Sequence, residues 1–462
     1  MKDFKLCLIG GGGVRSPFVA KSIAYASSEL NLKTVVLLDT DVFKLQKYGG
    51  LAKEIAKRIN PQLDFLLETD ASKALLDCDY IITTVRVGGD ESRIWDEEII
   101  SNYGLLAQET TGAGGFSMAM RSIPVISEYC RIAREIAAPD HIILNFTNPA
   151  GIVTQALADQ GFPAYGICDS PIELINQLAR LMEVPNSRFS CNSFGLNHLT
   201  WFNNFKINGK DITESILNDP DLFTKTEMRI FDKNILELTD NFLPNEYLYF
   251  YYCNQKAIKM SAKAPISRAH LIQNVNLTMN LQLENLDPKQ DFEVALKIFF
   301  DNYNIRENTY LQNESGRQRG EIRTTPSADE YISSPDEGGY AGVALNFLKA
   351  LQSNSTQEMV LSTKNLGAMQ ELRPEDVVEI MCTVGNGHVV PRKQRDIPAF
   401  ILNLILTMKE YERLSVKAIL NKDKVSALRA LTINPLVANL DIASNLLEEF
   451  IIQNKSYTGI WK

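Results

Sequence analysis

The sequence predicts an α/β chain, built from a doubly wound parallel sheet and a second, α+β domain. Three observations carry this. Strand-like and helix-like segments alternate over residues 1–165. The first strand-like run, Phe4 to Ile9, empties into four consecutive glycines, Gly10 to Gly13. From Gly166 onward the alternation gives way to longer amphipathic helices. Alternation of this kind implies parallel strands joined by right-handed crossover helices. Candidate strands are 4–9, 34–38, 63–67, 80–85, 141–146 and 164–168, with helical patterns over 16–29, 41–58, 71–76 and 119–137. Residues 166–462 read as helices near 171–182, 212–218, 269–282, 291–303 and 401–421, with a strand at 189–194. Residues 304–340 are rich in Asn, Ser, Gly and Arg and read as a surface excursion or lid.

Composition removes several classes of function. The chain has 462 residues, 45% hydrophobic and 22% charged, ample for two cores. Its net charge is −9 and no Lys/Arg run stands out, so nucleic acid is not an expected partner. The seven cysteines, at 7, 78, 130, 168, 191, 253 and 382, form no CxxC pair. A dispersed odd set implies reduced thiols and a cytoplasmic setting. The N-terminus leads straight into the first strand, so no signal peptide is expected. The longest apolar stretch, 397–408, contains Asn403 and is too short to span a bilayer, so no membrane partner is expected.

The glycine turn indicates a dinucleotide. A buried strand ending in side-chain-free backbone before a helix lets a pyrophosphate sit at the helix N-terminus. Gly10, Gly11, Gly12, Gly13, Val14 and Arg15 are the residues of that turn. The second strand ends at Asp39. An acidic residue there binds the ribose hydroxyls and repels a 2′-phosphate, so the expected cofactor is NAD rather than NADP. Asp41 competes for the role, and a loop carboxylate is the plain alternative.

Further segments along the chain carry chemistry. Asn145-Phe-Thr-Asn-Pro-Ala-Gly151 follows an apolar strand. Asn148 before Pro149 either aims its amide at a ligand or starts an Asx turn. Cys168 ends another strand and His198 lies in Gly195-Leu-Asn-His198. A thiolate and an imidazole hold a borderline metal with positions left for substrate oxygens, and core packing is the ordinary alternative for each. Residues 103–121 combine four glycines with Glu109 and Arg121 and make no obvious helix or strand, while Arg86 and Arg93 add positive charge upstream. Tyr247 opens a run of four tyrosines in six residues. Such a run packs a core more often than it catalyses, and a Tyr base needs a cation or metal nearby.

Taken in order, these segments resemble glycoside hydrolase family 4, the NAD- and metal-dependent 6-phosphoglycosidases, over nearly the whole chain. The matching pieces are the glycine start with Ser16-Pro17, residues 86–97, 103–115, 145–151, 166–171, 195–198, 244–248, 267–269 and 365–369. The resemblance implies a Rossmann-like, lactate/malate dehydrogenase-like NAD-binding domain over 1–165 and a substrate- and metal-binding domain over 166–462. It implies Cys168 and His198 on a divalent metal, usually Mn²⁺. It places Arg93 and Asn148 on the sugar and Arg268 on its 6-phosphate, with Tyr247 as general base and Glu109 as the acid that makes it basic. The implied reaction is a redox-assisted elimination, an exception to the two-carboxylate rule for glycosidases. Hydride leaves C3 for NAD⁺, the C2 proton goes to Tyr247, the C1–O bond breaks, water adds, and the hydride returns.

The implied substrate is a 6-phosphorylated β-glucoside. Asp169 points the other way, because Asp after the metal Cys resembles the 6-phospho-α-glucosidases, where it is general acid for the leaving group. The stretch Val85 to Gly89 and Gly338-Gly-Tyr340 with the residues to Leu345 resemble β-type members. A lactate/malate-type dehydrogenase is the alternative from another class, and a non-catalytic NAD sensor is a third. The expected assembly is a homodimer or homotetramer.

Overall fold

The computed structural model describes residues 2–319, 322–335 and 339–462. Gly338, one of the residues read for anomer preference, lies outside them. Six parallel strands form the first half of the sheet: β1 (Phe4–Ile9), β2 (Leu32–Leu38), β3 (Asp64–Glu68), β4 (Tyr80–Thr83), β5 (Ile142–Asn145) and β6 (Ala164–Gly166). Their order across the sheet is β6-β5-β4-β1-β2-β3, the doubly wound Rossmann-like order. Leu6, Cys7, Leu8, Val35, Leu37, Leu38, Ile143 and Leu144 are completely or almost completely buried. Helices cover both faces of such a sheet, so its strands read as continuous apolar runs.

The second half is antiparallel and extends the same hydrogen-bonded sheet. It comprises β7 (Phe189–Leu196), β8 (Leu199–Ile207), β9 (Lys210–Asp211), β10 (Leu243–Pro244), β11 (Gln357–Lys364), β12 (Val377–Gly385) and β13 (His388–Pro391). β11 joins the parallel half through Ser362 against Gly166 of β6. Cys168 and Asp169 follow β6 directly, so they sit where parallel pairing meets antiparallel pairing.

Two expectations are corrected. Residues 103–121 are not a loop throughout, because the helix Gly112–Ile136 begins inside them. The glycines that argue against helix are there for contact. A Cβ on Gly114 would lie 2.1 Å from the Gln108 carbonyl oxygen, and one on Gly115 2.4 Å from that of Thr110. Only bare backbone lets 108–110 fold over the helix N-terminus. The excursion 304–340 is partly helical: Phe292–Asn308 runs into it, and Gln312–Ser315 and Ala328–Ser333 lie within it. The last of these is fastened to the helix Ser16–Ala26 behind the glycine turn. Tyr25 donates to the Ile332 carbonyl at 2.6 Å, Lys21 to Ser334 Oγ at 2.8 Å and Tyr331 to the Pro17 carbonyl at 3.4 Å.

Candidate functional site

One cavity of about 2630 Å³ runs from the glycine turn to the antiparallel half of the sheet. Gly10, Gly12, Gly13, Val14, Arg15, Asp39, Arg93, Glu109, Asn148, Cys168, Asp169, His198, Tyr247 and Arg268 all line it. The sheet explains the convergence: β1, β4, β5 and β6 all end on this side.

At the glycine end, Gly10 has φ +97°, and a Cβ there would lie 2.6 Å from the Thr84 carbonyl oxygen. Gly11 does not line the cavity. Its missing Cβ is taken up by Leu37, 2.5 Å away, which sets strand and turn in contact. The Gly12 N–H donates to Asp39 Oδ2 at 2.8 Å, and the Asp41 N–H to Asp39 Oδ1 at 3.0 Å. Asp39 is thus fixed at the end of β2 facing the turn. Pro17 occupies the first turn of the following helix, and no acidic residue stands in that turn to repel an anion.

In the middle, Glu109 sits between two guanidiniums, 2.6 Å from Arg86 and 3.1 Å from Arg93. Burial pushes its carboxyl up, and the two arginines outweigh burial and hold it well below the ordinary carboxylate range. Arg93 is clamped from the other side by Glu97 at 2.8 Å, whose second oxygen accepts from the Ala269 N–H at 3.0 Å. Arg268 is aimed by Thr309 Oγ1 at 2.7 Å and the Arg306 carbonyl at 2.8 Å. The peptide bond before Pro149 is cis. Ser122 Oγ donates to the Asn148 carbonyl at 3.0 Å.

In the same cavity, the His198 and Tyr247 rings stack face to face, centroids 3.7 Å apart and 1° from parallel. Thr110 Oγ1 lies 3.2 Å from His198 Nδ1. Burial pulls the imidazole down to about 3, against an upward pull from Glu109, so the ring is neutral at physiological pH. Burial pushes the Cys168 thiol well above its ordinary value, with Glu379 adding to the rise. Tyr310 donates to the Tyr247 hydroxyl at 3.2 Å. Burial, then the Glu246 carboxyl, pushes the Tyr247 phenol well above its ordinary value, and the Tyr310 bond works against them. Arg15 lies 3.8 Å from Asp169.

This donor set fits a borderline divalent cation. It offers a neutral imidazole whose Nδ1 has its own partner, and a thiol that a cation alone would ionise here. Among the described residues no group of three or more His, Cys, Asp and Glu side chains is gathered for a metal. Sequence reasoning missed Thr110, Tyr310 and Glu379. Each acts on a residue 63 or more positions away, and no local pattern announces such a pairing.

Sheet order, glycine turn and strand-end acid define a Rossmann-like α/β chain of the dinucleotide-binding type. The chain belongs to family 4 of the glycosyl hydrolases: the model of that family matches residues 5–184, and the model of its C-terminal domain matches 193–437. It is 28% identical to a phospho-alpha-glucosidase, PagL, of Clostridium acetobutylicum, over 99% of each chain. A solved 6-phospho-beta glucosidase of Thermotoga maritima with manganese, NAD+ and glucose-6-phosphate superposes with a TM-score of 0.80 at 26% identity, covering 98% of this chain and 99% of that one. The malate dehydrogenase of Cryptosporidium parvum shares the fold, with a TM-score of 0.50 at 14% identity over 90% of this chain and 99% of that one. No helix among the described residues is long and apolar enough to cross a membrane.

Proposed function

We propose that this chain is a 6-phospho-β-glucosidase working with NAD and Mn²⁺, in which residues 1–165 hold the dinucleotide and lend Arg93 and Asn148 to the sugar, while residues 166–462 supply the metal ligands and the remaining substrate groups. The observation that carries the reading is the stack of His198 on Tyr247, in the same cavity as Cys168 and the glycine turn. When bound, NAD supplies a hydride acceptor and donor, and Mn²⁺ a positive charge and Lewis acidity. Gly10, Gly12, Gly13, Val14, Arg15 and Asp39 hold the dinucleotide, and Gly11 sets the turn against β2. Cys168 Sγ and His198 hold the metal.

Tyr247 Oη takes the proton from C2 of the sugar. Its phenol is pushed up by burial and by Glu246. A cation held by His198 would supply the positive charge that lowers it, and the Tyr310 hydroxyl donates to the oxygen that would carry the negative charge. Glu109, ionised between its arginines, fixes Arg86 and Arg93 against the cavity wall. Arg93, Asn148 and Arg268, all lining the cavity, take the sugar and its 6-phosphate. The cofactor ends each turnover as it began, so the net reaction is hydrolysis.

A second reading, 6-phospho-α-glucosidase, is favoured by Asp169. Burial pushes its carboxyl up against the pull of Arg15, which suits an acid that gives a proton to the departing alcohol. The setting we propose is cytoplasmic and the assembly a homo-oligomer.

The test is a paired assay. The α- and β-linked 4-nitrophenyl glucoside 6-phosphates are incubated separately with NAD⁺ and Mn²⁺. Nitrophenol from the β-linked compound without accumulating NADH is expected. Turnover of the α-linked compound alone moves the assignment to the second reading, and one NADH per product removes hydrolysis altogether.

A further inference from the structure

His198 stands in an uncommon backbone conformation. It is the second residue of the Asn197-His198 turn that closes the β7–β8 hairpin, where Leu196 pairs with Leu199 and Gly195 with Thr200. Its φ is +60°, in the left-handed region that favours glycine. A histidine stays there only when its surroundings hold it. The neighbouring strand does the holding. Glu379 lies on β12 opposite Gly195 and is buried, with 2% of its surface exposed. Its Oε1 accepts from Asn197 Nδ2 at 3.0 Å and its Oε2 from Thr200 Oγ1 at 2.7 Å. One carboxylate therefore grips the turn on both sides of His198. The turn is also boxed in from the Asn145–Gly151 segment: a Cβ on Gly151 would lie 3.3 Å from Asn197 Cβ and 2.6 Å from Glu412 Oε1.

From this geometry we infer that Glu379 is a positioning residue for the metal pair: by bridging Asn197 and Thr200 it holds His198 in the orientation in which the imidazole meets a cation beside Cys168. The inference rests on the proposed role of Cys168 and His198. Groups that orient metal ligands typically change metal affinity about 10- to 100-fold when removed. The carboxylate touches neither the glycine turn nor Asp39, so dinucleotide affinity is untouched by its loss.

The test measures Mn²⁺ dissociation constants by electron paramagnetic resonance of the free ion, without substrate, and NAD⁺ affinity by fluorescence titration on the same samples. Glu379→Ala is expected to weaken Mn²⁺ binding tenfold or more with NAD⁺ affinity within twofold of the parent. Asn197→Ala and Thr200→Val each remove one grip and are expected to weaken Mn²⁺ binding at least threefold. These two decide the matter if Glu379→Ala does not fold. Glu379→Gln keeps the shape and, with the Asn197 amide turned over, both bonds, so it is expected to retain more Mn²⁺ affinity than Glu379→Ala. Unchanged Mn²⁺ affinity in Asn197→Ala and Thr200→Val overturns the inference, as does a parallel loss of NAD⁺ affinity. His198→Ala separates the two levels. If it too leaves Mn²⁺ affinity unchanged, the metal assignment itself is wrong; if it alone weakens binding, only the role of Glu379 falls.

Discussion

Replacing Tyr247 with Phe removes one oxygen from the proposed site and little else. The ring remains, so the 3.7 Å stack on His198 remains. The loss to the fold is one hydrogen bond, donated by Tyr310 at 3.2 Å. A neutral hydrogen bond contributes about 1 kcal/mol net, which for a domain-sized unit shifts Tm by at most about 2–4 °C. The loss to chemistry is far larger. A positioned general base contributes roughly 10²- to 10⁴-fold, or about 2.7–5.4 kcal/mol of barrier. The two effects are therefore separable. Expected are a near-parental melting curve, unchanged NAD⁺ titration, and a kcat lower by two to four orders of magnitude for 4-nitrophenyl glucoside 6-phosphate. Run in D₂O, the parent yields glucose 6-phosphate with deuterium at C2, and the variant's residual product shows that incorporation slowed in step with kcat. A kcat within tenfold of the parent, or product without C2 deuterium from the parent itself, refutes the assignment of Tyr247 as the base that opens the elimination.

Three further outcomes are expected. Gly12→Ala sets a Cβ 2.9 Å from both Asp39 Oδ2 and the Leu45 nitrogen; overpacking of that kind costs about 1–3 kcal/mol, read as a lower urea midpoint and a weaker NAD⁺ titration. Glu109→Gln strips the charge from between Arg86 and Arg93, a loss of about 1.5–3 kcal/mol for hydrogen bonds to charged groups. Because the folded carboxyl is held below its unfolded value, that stability is fully present above the unfolded value of about 4.3 and fades as pH falls toward the folded one; the gap in urea midpoint between parent and variant should narrow from pH 6 to pH 3, and a gap that widens contradicts the ion-pair account. EDTA should abolish turnover and Mn²⁺ restore it, whereas Cys168→Ser should restore only at higher Mn²⁺, measured as the half-saturating concentration.

Much of the parallel half is legible in the sequence because its inner strands are buried on both faces, and the part-buried edge strand Asp64–Glu68 still carries three large apolar residues. The runs 4–9, 34–38 and 63–67 are apolar enough to stand out, and the observed strands Phe4–Ile9, Leu32–Leu38 and Asp64–Glu68 overlap them. The glycine turn and Asp39 were legible for a different reason: their chemistry is local, a backbone N–H and a carboxylate one strand away. The helix start at Gly112 was not legible. Glycine is a poor helix former, and what favours it at 114 and 115 is a carbonyl of residues 108 and 110 folded over it. Of the antiparallel extension only the strand at 189–194 was legible, observed as Phe189–Leu196. In β12 a carboxylate interrupts an otherwise apolar run, and Glu379 has the look of a surface position until Asn197 and Thr200 are seen to occupy both its oxygens. Distance along the chain hid the rest of the site, since His198 and Thr110 are 88 residues apart and Tyr247 and Tyr310 are 63 apart.

The fastening of the segment Ala328–Ser333 to the first helix bears on how long a cofactor stays. Glu330, Tyr331 and Ser334 line the same cavity as Gly12 and Asp39, so a dinucleotide held at the glycines as proposed would have over it a roof tied down through Tyr25, Lys21 and Tyr331. An ordinary dehydrogenase must open such a roof every cycle to exchange spent coenzyme for fresh. A reaction that returns its hydride, as proposed for this chain, has no such need, and slow coenzyme release becomes an advantage rather than the step that limits the rate.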